Sequence, residues 1–250
     1  MRIYLAGGQP SWREILERHH LLVSYAEPQQ LKIITAGWDL PGLLLDSGAF
    51  TAWTKGRPID LKQYVEFIKR QEHLLTGYIA LDVIPGVPGR LPTEDEAKEA
   101  TERTLANLDL MRLAGLKPIP VFHEGEPLWV LDHYVSQGHD LIALGATASR
   151  GRPELVEWLL PLFERHPDQK FHGLAMTQKR IIEFFPFYSV DSSSWLNFAR
   201  YGVDANTYLL KGRSPDCLRR VGIAAIEDIA RCPADAPATI DGQLRMFPAS

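Results

Sequence analysis

Three aspartates follow directly on short apolar runs: Leu43-Leu44-Leu45 leads to Asp46-Ser47-Gly48, Ile79-Ala80-Leu81 to Asp82, and Tyr188-Ser189-Val190 to Asp191. Val121-Phe122 ends likewise on His123-Glu124-Gly125, and Ile142-Ala143-Leu144 on Gly145. Where strands run parallel, functional side chains collect at their carboxyl ends. Grouped carboxylates there suit acid/base and nucleophilic chemistry, because one can attack while another moves a proton. A single Asp at such a point is also an ordinary cap for the following turn or helix; three in one ring weaken that explanation. Gly48 and Gly145 let a flat ligand approach the backbone, and each equally satisfies a turn that needs positive φ.

The elements that must position these residues read as alternating strands and helices. Eight apolar runs of strand length recur: RIYLAG, LLVSYA, LLLDSG, YIALDV, PIPVF, LIALG, FHGLA and YSVDS. Near-continuous apolarity marks strands covered on both faces, hence a parallel sheet. Ser11 with Glu14, Asp60 with Gln63 and Thr93 with Glu96 have capping-box spacing, and Ser214-Pro215 sets a cap before a first-turn proline. After Asp60, Leu61, Tyr64, Val65 and Ile68 recur at helical spacing while Lys62, Glu66 and Lys69 face away, as on an outer helix. With 250 residues, 45% of them hydrophobic, the chain can bury one large core. The pattern predicts an α/β fold, a single-domain (β/α)8 TIM-type barrel over residues 1–230, with a Pro/Ala-rich tail at 231–250.

A formal net charge of −4 excludes a uniformly basic surface, so any contact with nucleic acid must come from a local patch. Cys217 and Cys232 are too few for a disulfide framework or a thiolate zinc site, and a reducing cytoplasm is the expected location. The N-terminal segment has no signal-peptide core, and no run approaches the roughly 20 apolar residues of a spanning helix. No membrane partner is expected.

The segment LLLDSGAF resembles the DSGGF-type motif of the tRNA-guanine transglycosylases. With ALDVI, PVFHEG, ALG, HGLAMT and YSVDSSSW in order behind it, the chain is similar to their shorter, phage-type relatives, which include 7-deazaguanine DNA transglycosylases. The resemblance spans about residues 1–210. It implies that Asp191 is the nucleophile at the anomeric carbon, Asp46 the acid/base group, and Asp82 the base-recognising carboxylate. It places Ser47 and Gly48 among the substrate-binding residues, His123 where the family has a base-contacting glutamine, and Gly145 where a backbone group meets the base. His123 is equally readable as a structural histidine. The implied reaction replaces guanine in DNA with a 7-deazaguanine such as preQ0, by double displacement through an Asp-glycosyl intermediate and without a cofactor. A departing guanine needs a proton, and a carboxylate facing its N1–H and amine accepts two hydrogen bonds that adenine does not offer in that pattern.

The chain departs from this family in two places. Its tRNA-modifying members carry a zinc subdomain with three close cysteines and a histidine near the C-terminus, whereas here Cys217 and Cys232 are not followed by any histidine. No metal is therefore expected, and DNA is favoured over tRNA, the alternative polymer. Ala49 also replaces the second glycine of DSGGF.

Late basic residues, Lys179, Arg180, Arg200, Lys211 and Arg213 with Arg219 and Arg220, either guide a phosphate backbone or form an ordinary solvated face. Trp53 and Trp195 either stack on bases or pack the core. In the tail, Gln243-Leu244-Arg245-Met246-Phe247 resembles the peptides that dock on bacterial DNA sliding clamps, or else packs back on the barrel. Two readings compete with base exchange: a hydrolase of nucleosides or N-glycosides using the same carboxylates with water, and a base-binding module without catalysis.

Overall fold

The computed structural model describes residues 1–87, 90, 92–146, 152–196 and 215–231. All eight expected strands form: β1 (Arg2–Ala6), β2 (His20–Ser24), β3 (Leu43–Asp46), β4 (Gly77–Tyr78), β5 (Val121–His123), β6 (Leu141–Gly145), β7 (Lys170–Leu174) and β8 (Ser189–Ser192). Every pairing is parallel, in the order β4-β3-β2-β1-β8-β7-β6-β5. The ends of this order meet. Ile119 N–H donates to Tyr78 O (2.9 Å) and Ala80 N–H to Ile119 O (2.8 Å), which joins β4 to the approach of β5 and closes the ring. The chain thus folds as a (β/α)8 barrel.

Helices fill the crossovers: α1 (Arg13–Leu16), α2 (Pro28–Leu31), α3 (Ala49–Lys55), α4 (Leu61–Gln71), α5 (Glu94–Leu113), α6 (Leu128–Ser136), α7 (Arg152–Arg165), α8 (Lys179–Phe184) and α9 (Pro215–Arg231). Two of the expected caps are made. Asp60 accepts from Gln63 N–H at 2.8 Å, and Thr93 with Glu96 forms a full capping box at the head of α5. The Ser11–Glu14 spacing makes no box, because Pro10 opens a 3₁₀ turn over Pro10–Trp12 that places Ser11 inside the turn. Helix α9 starts at Pro215 as expected, while Ser214 lies outside the described residues. On α4, Tyr64 and Ile68 are fully buried and Leu61 and Val65 pack beside them, with Lys62, Glu66 and Lys69 exposed.

Strand alternation sorts the core into two layers. Tyr4, Leu22, Leu44, Ile79, Val121 and Ala143 pack together inside the ring. Their neighbours Leu5, Leu21, Leu45, Phe122, Ile142 and Phe171 face outward into the larger cluster beneath the helices. Moving two residues toward the carboxyl end from Tyr4, Leu22, Leu44, Val121 and Ala143 reaches Ala6, Ser24, Asp46, His123 and Gly145. All five line the mouth of the barrel. No helix among the described residues is long and apolar enough to cross a membrane.

Candidate active site

The mouth encloses a cavity of about 580 Å³, a size typical of small-molecule sites, and Asp46, Asp82, Asp191, His123 and Gly145 all reach its wall. The structure therefore brings together the three strand-exit aspartates that the sequence singles out.

Asp46 is the last residue of β3, in register with Ser24 of β2. The chain turns sharply behind it through Gly48, at φ 81, and a Cβ there would lie 2.5 Å from that of Ala26, so only glycine fits. The turn folds Gly48 N–H back onto Asp46 Oδ2 at 2.9 Å. Burial, and after it the charges of Asp82 and Asp191, push the Asp46 carboxyl up to about 7, against the pull of that N–H. Asp46 thus exchanges its proton near neutrality, as an acid/base group must.

Asp82 reaches the cavity through a slip in strand alternation. Ile79 faces the interior, but Ala80 and Leu81 both face the helices, and Asp82 then turns inward. Helix α5 supplies the bonds that the short β4 ladder lacks: Asn107 Nδ2 donates to Leu81 O (2.9 Å), and Thr104 Oγ1 accepts from Val83 N–H (2.9 Å). Ser47 donates its hydroxyl to Asp82 Oδ1 (3.0 Å), and His123 Nε2 meets Asp82 Oδ2 at 2.9 Å. Ser47 is fully buried, and it and Gly48 stand behind the cavity wall, supporting the two aspartates.

His123 is buried at 6% exposure, and its other nitrogen, Nδ1, lies 3.7 Å from Glu126 Oε2. Burial by itself favours the neutral ring. The hydrogen bond to Asp82 and the interaction with Glu126 together outweigh it and push His123 up to about 10, so the ring is cationic at neutral pH. Gly145 makes room for it: a Cβ there would lie 2.9 Å from His123 Cδ2. The Gly145 carbonyl already accepts from Glu124 N–H at 3.0 Å.

Asp191 lies in β8, in register with Tyr4. Just beyond β7 the chain enters the left-handed region at Ala175 (φ 55), and Ala175 N–H donates to Asp191 Oδ1 at 3.0 Å. His172, fully buried on β7, shares a 2.8 Å hydrogen bond with Ser189 through Nδ1 and sets Nε2 3.4 Å from the same Asp191 oxygen. The sequence reading missed His172 and Glu126. Glu126 carried a signal, three residues past His123, whereas the facing of His172 depends on strand register.

The other expectations divide. Trp53 lines the cavity and donates Nε1–H to Gly86 O at 2.8 Å. Trp195 is core: it is fully buried, donates to Ala6 O at 2.9 Å and meets Trp12 edge-on. Lys179 is exposed and pairs with Glu183 at 3.6 Å, Arg219 sits 4.0 Å over the Trp12 ring, and Arg220 donates to Glu14 O at 3.3 Å. Arg200, Lys211, Arg213, Cys232 and the Gln243–Phe247 segment lie outside the described residues, as do the side chains of Arg180 and Cys217. Among the described residues no group of three His, Cys, Asp or Glu side chains is arranged to hold a metal ion.

Fold and site together define a (β/α)8 barrel with a carboxylate-lined cavity at its carboxyl mouth. No protein-family model matches the chain, and no curated protein does. Solved structures align along most of its length. A mutant tryptophan synthase alpha-subunit from the hyperthermophile Pyrococcus furiosus aligns at TM-score 0.49 and 13% identity, over 91% of this chain and 97% of that one. A protein from Aquifex aeolicus VF5 aligns at TM-score 0.46 and 15% identity, over 92% and 88%.

Proposed function

We propose that this protein is a base-exchange transglycosylase that replaces guanine in DNA with a 7-deazaguanine such as preQ0. One observation carries the reading: the carboxylates of Asp46, Asp82 and Asp191 converge on one cavity at the barrel mouth. The family resemblance of the strand-exit motifs supports it. In the first displacement an Asp191 oxygen bonds to C1′ as the C1′–N9 bond breaks. The electron pair leaves with the base, which takes the Asp46 proton. In the second, the incoming base gives a proton to Asp46 and bonds to C1′, and the Asp191–C1′ ester opens to restore the carboxylate. Two inversions preserve the anomeric configuration. Asp82 faces the N–H edge of the base. The anomeric carbon is shielded in a duplex, so the substrate nucleotide must be flipped out or unpaired.

Trapping tests the division of roles. Wild-type protein quenched with guanine-containing single-stranded DNA should give a denaturant-resistant protein–DNA adduct on the peptide holding Asp191. An adduct on the Asp46 peptide would reverse the assignment of the two carboxylates.

A further inference from the structure

We propose that His123 and Glu126 are positioning residues for Asp82: Glu126 holds the His123 ring as a cation, and the ring fixes Asp82 as an oriented acceptor of two adjacent ligand N–H groups. The identity of the ligand rests on the base-exchange reading; the relay itself rests on the side-chain geometry.

Glu126 has no side-chain exposure, and its oxygens have assigned partners. Oε1 accepts from the Thr101 hydroxyl at 3.0 Å, and Oε2 accepts from His123 N–H at 2.6 Å while facing the ring nitrogen at 3.7 Å. A buried carboxylate is costly unless a cation answers it, and His123 is the cation in contact. The ring passes that constraint on to Asp82 Oδ2, and Ser47 fixes Oδ1. Both oxygens are thereby oriented, and each keeps a lone pair for the cavity.

This answers an electrostatic difficulty of the site. The charges of Asp82 and Asp191 raise the Asp46 carboxyl, and the His123 ring, 2.9 Å from Asp82 Oδ2, sets a cation against the charge of Asp82. Two titratable groups face the ring, Asp82 from the β4 exit and Glu126 from the β5–α6 loop, and Tyr134 of α6 is coupled to both carboxylates. Burial first, then Glu126 and Asp82, keep Tyr134 neutral. A purely structural ion pair would brace the β5–α6 loop without changing what Asp82 binds.

The test uses the full chain and two readouts. The first is ¹⁵N NMR of the His123 ring in wild-type protein, with Glu126→Gln as the perturbation that keeps shape and removes charge. The second is calorimetric binding of guanine to both proteins. The relay predicts a doubly protonated ring through pH 8 in wild type, a ring that titrates at least one pH unit lower in Glu126→Gln, and guanine binding about tenfold weaker in the variant. A neutral wild-type ring at pH 7 overturns the relay whether or not the variant folds. A charged ring with equal guanine binding by both proteins overturns its role in recognition. If wild type binds no guanine, the exchange reading fails while the NMR result still decides the relay.

Discussion

Replacing Asp46 with Asn should stabilise the folded chain, and by an amount that grows with pH. The Asp46 carboxyl has an ordinary value of 3.8 and is pushed to about 7, first by burial and then by Asp82 and Asp191. Across that window the folded chain holds a proton that the unfolded chain has released, so stability falls as pH rises from about 4 to about 7 and levels off above it. At about 1.4 kcal/mol per pH unit, the cost of ionising Asp46 reaches about 4 kcal/mol above pH 8, of which about 1.5 kcal/mol is already present at pH 5. The Asn amide oxygen still accepts from Gly48 N–H, so the turn survives. Asp46→Asn should therefore gain about 2.5 kcal/mol on wild type between pH 5 and pH 8.5, or roughly 5–10 °C in melting temperature for a chain of this size. Paired thermal melts across that range read the difference directly, and titrations common to both proteins cancel. Parallel stability profiles would show that Asp46 is not held protonated, and a variant that loses ground as pH rises would refute the reasoning outright.

Substitutions at three other positions probe the supports of the site. Gly145→Ala should cost about 1–3 kcal/mol, because the new methyl presses on the His123 ring; urea unfolding reads it, and an unchanged midpoint would mean the ring has room to move. Ala175→Val should cost about 1–2 kcal/mol by placing a β-branched residue at φ 55, whereas Ala175→Gly should melt no lower than wild type; equal melts for all three would show that the left-handed backbone beyond β7 carries no strain. His172→Asn should lower kcat for the proposed base exchange at least tenfold with little change in KM, since the ring backs Asp191, the proposed nucleophile; an unchanged kcat would make His172 core packing alone.

The fold was legible because parallel strands covered on both faces leave continuous apolar runs, and all eight appear where the sequence places them. The convergence of Asp46, Asp82 and Asp191 was legible for the same reason: each follows such a run, and a barrel gathers strand exits at one mouth. What each neighbour does there was not legible. Ser47 and His123 both contact Asp82, Ser47 through its hydroxyl and His123 through Nε2, and these contacts depend on an alternation slip at Ala80–Leu81 that no residue type announces. His172 was hidden inside an apolar-looking strand, and whether a histidine there faces the ring or the helices depends on register. Trp195 follows Asp191 closely in sequence, but the turn after β8 directs its indole to Ala6 and the core. The Ser11–Glu14 spacing failed because Pro10 starts a tighter turn than the capping box requires.

The central claim is that the three aspartates exchange one base for another. Its most direct test is to incubate the protein with preQ0 and, in parallel, single-stranded DNA and tRNA, and then to measure nucleosides and free bases by mass spectrometry. The account predicts 7-deazaguanine nucleoside in the DNA with one guanine released per base incorporated, and no exchange by Asp191→Ala. Exchange confined to tRNA would correct the polymer. Guanine release without incorporation, or no reaction on either polymer, would contradict the claim.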